Sequence, residues 1–191
     1  MRKTIILGAA LALAMSCTTN NKNIEYTANA EQPFFNISEI TAETNMKTVF
    51  GATPVFDTYE DGEGVLEFDQ DVRMIGEGAF ANCAPLVSIK VPETATAIGS
   101  YAFFNCKSLE KVVLPEIVER IGNSAFLSCK NLKEVHIKAL TPPAVVIYAD
   151  SRWDAFEGNS AALKIYVPKK ALAAYQSAEG WKDYADRIIG E

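Results

Sequence analysis

The chain is poor in the residues that most hydrolytic and metal chemistry requires. Among its 191 residues there is one histidine, and there are four cysteines. Nucleophilic catalysis needs a nucleophile, a general base and an orienting acid held together. His136 lies between Val135 and Ile137, so alternation along a strand puts it on the outward side. The sequence supplies no partners for it, so no catalytic residue is assigned and the protein is read as a non-enzyme. Zinc sites use clustered ligands such as C-x2-C. Cys83, Cys106 and Cys129 are spread one by one, and neither a metal nor a cofactor is assigned. Basic runs are missing as well. With 18 Lys and Arg against 24 Asp and Glu, the net charge is −6. Such a surface repels phosphates, which excludes nucleic acid as a partner. The apolar run Ile5 to Ala14 is ten residues long, whereas a membrane-spanning helix needs about 20.

Two local patterns also fall short of a site. Asp57, Glu60, Asp61 and Glu63 suggest calcium, but Tyr59 and Phe68 stand where an EF-hand loop needs ligands. The four are read as an exposed turn. Gly76-Glu77-Gly78 lacks the later glycine of a dinucleotide loop. Asn36-Ile37-Ser38 matches a glycosylation sequon, but it is not read as a modification site.

What is abundant is self-similarity. Ile75-Gly76 recurs as Ile98-Gly99 and Ile121-Gly122, and Ala79-Phe80 as Ala102-Phe103 and Ala125-Phe126. Cys83 recurs as Cys106 and Cys129, Leu86 as Leu109 and Leu132, and Ile89 as Val112 and Val135. Each step is 23 residues. Leu66 and Phe68 extend the phase backwards. Ala155-Phe156, Ile165, Val167 and Pro168 extend it forwards after seven inserted residues within 139–152.

Fixed self-similarity of this length marks a repeat array. Leu86 to Val91 fits the L-x-x-L-x-L strand signature, with Ile89 and Val91 inward and Ser88 and Lys90 outward. Ala79, Phe80 and Cys83 have the i, i+1, i+4 spacing of a short helical turn. Pro92 and Pro115 end strands by removing a ladder donor. One coil cannot offset its own ordering entropy, so stacked neighbours must share a core. The expectation is an α/β right-handed solenoid of 23-residue repeats, with short parallel strands, short helical turns and a helical C-terminal cap.

The ends read differently. Arg2 and Lys3, the apolar run and the small residues Ala14 and Ser16 form a signal peptide over 1–16. Its removal takes the net charge from −6 to −8. Ala14-Met15-Ser16-Cys17 resembles a bacterial lipobox, with Ala14 where leucine is usual. That resemblance implies acylation of Cys17; the alternative is ordinary cleavage near Ser16 and a free thiol. Residues 17–32 read as a lipidated flexible tether and 33–63 as an N-terminal cap. The cap holds a helix opening at Ser38 and a hairpin turning at Asp61-Gly62. Residues 64–168 form the array, and 169–191 a helical cap built on Ala171, Leu172, Tyr175, Trp181, Tyr184 and Ile188.

Ile98-Gly99 through Leu114-Pro115 resembles the BspA-like, or Treponema-type, leucine-rich repeat, I-G-x-x-A-F-x-x-C-x-x-L-x-x-V-x-L-P. The third coil departs at Lys138, where proline is expected. Ile165 to Pro168, Tyr175 and Gly180-Trp181 look like the closing segment of such lipoproteins in Bacteroidetes. The resemblance implies a surface lipoprotein acting as an adhesin or scaffold, with no shared catalytic residues.

Two binding surfaces are expected. One is the outward strand face: Ser88 and Lys90, Lys111 and Val113, Glu134 and His136, Lys164 and Tyr166. Its partner is an extracellular or host protein, or a glycan taken up by a polysaccharide system. The other is Val145-Val146-Ile147-Tyr148, a sticky tip or a plug over the stack. The cysteines are expected to be free and buried as small hydrophobes. The membrane is met only through the lipid anchor, at the outer membrane. Thr18 to Lys22 holds no acidic pair of the kind used for surface sorting, which leaves the cell surface and the periplasmic side both open.

Overall fold

A computed structural model describes residues 23–30, 49–146 and 154–191. The signal segment, Cys17, most of the expected capping helix, Ile147 and Tyr148 lie outside the described residues. Twelve strands occur among the described residues: β1 Asn23–Ala28, β2 Pro54–Glu60, β3 Glu63–Phe68, β4 Met74–Ile75, β5 Leu86–Lys90, β6 Ala97–Ile98, β7 Lys111–Leu114, β8 Arg120–Ile121, β9 Glu134–Ile137, β10 Ala144–Val145, β11 Lys164–Val167 and β12 Ile188–Gly190. They form two sheets. The larger has the order β12-β11-β9-β7-β5-β1-β3-β2 and the smaller β10-β8-β6-β4.

From β5 to β12 the large sheet is parallel, as leucine-rich repeats require. Val112 and Val135 pair in register, as do Ile89 and Val112, and all three side chains are buried. The hairpin stands where the sequence places it. Asp61 and Gly62 have φ of 50° and 90°, the double left-handed pair that matches strand twist in a two-residue turn.

Four features differ from the sequence reading. First, Asn23–Ala28 is no tether but a strand inserted antiparallel between β3 and β5. Ile24, Tyr26 and Ala28 are buried; their period of two gives the segment an apolar side that a free tail would leave in water. Second, the Ile-Gly pairs do more than turn the chain: Ile75, Ile98 and Ile121 sit in the small parallel sheet.

Third, the segments around the phenylalanines are not helical turns. Tyr101 and Asn105 have positive φ, which breaks a helix every fourth residue. Alternate amides then face the next coil. Phe103 N–H donates to Ala125 O at 2.7 Å, whereas Phe104 N–H donates back to Tyr101 O at 3.0 Å. Fourth, the C-terminal cap is only partly helical. A 3-10 turn at Lys169–Ala171, helix α1 at Leu172–Ser177 and a second 3-10 segment at Lys182–Arg187 lead into β12. Ile188 therefore closes the large sheet as a strand residue, paired with Ile165.

The core is a column of aromatic rings. Phe80, Phe103, Phe126 and Phe156 stack face to face with centroid steps of 5.3, 5.1 and 5.2 Å. Phe50 meets one end edge-on at 6.0 Å, and Tyr184 meets the other at 5.5 Å. Both ends of the apolar stack are thus covered, as terminal repeats must be. Trp181 and Tyr175 are fully buried in the cap, and their polar atoms donate to Pro143 O and Ala139 O.

Cys106 and Cys129 are buried free thiols, and Cys83 is half-buried. Sγ of Cys106 donates to Phe80 O at 3.0 Å, and Sγ of Cys129 to Phe103 O at 2.9 Å. Burial, followed by the neighbouring Cys106, pushes the Cys83 thiol up from 9.0 to about 12. The departure at Lys138 has a local use. Its amide donates to Leu114 O at 3.2 Å, which proline could not do, and its ammonium reaches Glu93.

Candidate binding face

The outward side chains of the large sheet line up across strands because each neighbour pairs in register. One row runs Glu63, Thr27, Ser88, Lys111, Glu134, Lys164. A second runs Val65, Glu25, Lys90, Val113, His136, Tyr166, Ile189. All eight residues singled out by repeat phase fall in these rows, and none is buried. The insertion shifts the chain but not the face, because Lys164 still pairs with Glu134 and Tyr166 with His136.

Ion pairs run along the rows, from strand to strand. Lys90 meets Glu25 at 3.0 Å and Lys111 meets Glu134 at 3.0 Å. The Lys111 ammonium, with His136 second, holds the Glu134 carboxyl below the usual carboxylate range. His136 is more enclosed than an open strand position. Its Nε2 lies 3.2 Å from Glu134 and its Nδ1 3.1 Å from Glu191. Its ring stacks on Tyr166 with centroids 4.5 Å apart. An imidazolium could donate to both carboxylates at once.

Beside β1 the face sinks into a hollow of ≈ 380 Å³, bounded by Glu25, Thr27, Glu63, Ser88, Lys90 and Lys111. Thr27 and Ser88 share a hydroxyl hydrogen bond of 2.8 Å on its floor. Repeat phase could not find Glu25 and Thr27, because β1 lies outside the repeats. The available signal was the alternation of Ile24, Tyr26 and Ala28. Glu191 was missed because it follows a strand read as helix.

The other expected surface is only half in view. Val145 and Val146 are half-buried, and Val145 packs on the core and joins the small sheet. Asp57 serves structure, accepting the Tyr26 hydroxyl at 2.7 Å.

A ladder of short parallel strands, each returning through an L-x-x-L-x-L segment to the same face, defines a leucine-rich-repeat protein. More narrowly, the BspA type leucine-rich repeat region matches residues 64–171 in six copies, and the chain belongs to that family. Repeats of this family are generally non-catalytic binding modules, typically a protein-binding or adhesion surface. No curated protein matches the chain.

Proposed function

We propose that the chain is a non-enzymatic cell-envelope lipoprotein whose outward sheet face binds an extracellular or host protein. The observation that carries this reading is the pair of rows in register across the sheet. They hold charged, hydroxyl and aromatic side chains on a backbone fixed by ladders on both sides. Strand partners 23 residues apart, Ser88 with Lys111 and Lys111 with Glu134, support a right-handed solenoid of 23-residue coils beneath that face. Rigid presentation limits the ordering cost of association.

Acylation at Cys17 would tether the domain to the outer membrane, on the surface or the periplasmic side. Among the described residues no helix is long and apolar enough to cross a membrane. Labelled fatty acid incorporated by the parent chain and lost in Cys17→Ser is the expected result. Protease shaving of intact cells then reads which side the domain occupies.

The binding test is capture of extracellular-matrix or neighbouring-cell proteins by the parent chain and by a form with the eight row residues changed to alanine. Selective loss in the alanine form is expected, and equal capture would remove the face from the mechanism. A glycan ligand fits less well. Tyr166 is the one aromatic in the two rows, and it spends a ring face on His136.

A further inference from the structure

We propose, building on that reading, that the hollow beside β1 receives an extended peptide segment bearing two side chains of opposite charge four residues apart. The two shortest side chains of the first row, Thr27 and Ser88, lie at its centre, with Glu63 on one flank and Lys111 on the other. Neighbouring strands are about 4.8 Å apart, so three strand steps separate the Glu63 and Lys111 backbones by about 14 Å. An extended peptide rises about 3.4 Å per residue and shows every second side chain to one face, so residues i and i+4 are also about 14 Å apart.

A segment laid across the strands therefore sets a basic side chain over Glu63 and an acidic one over Lys111. The side chain between them, at i+2, points into the hollow, where two hydroxyls favour a small polar group. Val65 and Val113 complete the wall with apolar side chains, and Glu25 and Lys90 neutralise each other at 3.0 Å, so the remaining wall does not discriminate by charge. Among the described residues Glu63 is in no ion pair. Lys111 is shared with Glu134, but an ammonium has three donors. Tyr26 also borders the hollow, but its ring is 2% exposed, lies against Gly64 and donates its hydroxyl to Asp57, so it offers no open face as a sugar platform.

The test is selection of random dodecapeptides displayed on phage against the immobilised full chain, its Lys111→Glu form and its Glu63→Lys form. All three are first checked for a cooperative melt. The parent should enrich peptides with opposite charges four residues apart. Lys111→Glu should turn that preference to two basic residues at the same spacing, and Glu63→Lys to two acidic ones. Peptides selected on the parent should bind each reversed form at least about tenfold more weakly. Either variant alone decides the matter if the other does not fold. No enrichment, a different spacing, or a preference unmoved by the reversals would overturn the proposal. Peptides indifferent to both reversals but lost with Tyr166→Ala would sink the hollow and leave the outward face standing. Peptides indifferent to every row substitution would sink both.

Discussion

Glu134 shows how the face is organised by single side chains. Its carboxyl is held low first by Lys111 and then by His136. A carboxylate whose folded value is depressed contributes stability above its unfolded value, and the contribution is lost as pH falls through the folded value. Lys111→Ala should move the Glu134 midpoint up toward the ordinary 4.5, read by carboxyl carbon NMR. Because the pair is exposed, its thermal stability near pH 7 should hardly change. An unmoved midpoint would mean that the contact is not made in solution.

At the scale of elements, the aromatic column and the glycine turns set the stack. Phe103 is fully buried between two parallel rings, and Phe103→Ala should cost about 3–5 kcal/mol by denaturant titration. Gly99 is constrained differently. A Cβ there would lie 2.5 Å from the backbone of Gly76 and Glu77 in the preceding coil, so Gly99→Ala must push two coils apart. It should destabilise strongly although it adds one methyl group. If Gly99→Ala melted like the parent, the close approach of the coils would be wrong.

The same elements explain what was legible in the sequence. Phe80, Phe103 and Phe126 recur at one spacing because each occupies the same place against the same neighbours, and the column follows. The outward rows follow from the same phase. The turn segments were misread because i, i+1, i+4 spacing also fits turns whose left-handed residues, such as Tyr101 and Asn105, carry side chains. Asn82 and Asn105 are of a type that tolerates positive φ, but Tyr101, Ser124 and Ser128 in matching turn places are not, so residue type did not mark the turn consistently. β1 and β12 escaped because neither repeats. Their partners are set by tertiary docking of the ends, which phase does not encode.

For the whole molecule, the consequence is that its amino-terminal edge depends on a segment outside the repeat region. β1 joins the hairpin to the parallel strands, and Ile24 is fully buried. Ile24→Asp would bury an unpaired charge. The expected outcome is release of the segment, seen as rapid amide exchange over 23–28 and 54–68, with β7, β9 and β11 still protected. Uniform loss of protection would instead mean that the array has no independent stability.

The placement of β1 also has a mechanical consequence. Traction entering the fold at Asn23 would meet five residue pairings with β3 and four with β5. Because they flank a single strand, a pull along it shears both ladders together and does not unzip one bond after another. A domain held by that end in flowing fluid would yield late and abruptly, with its outward rows undistorted until it does.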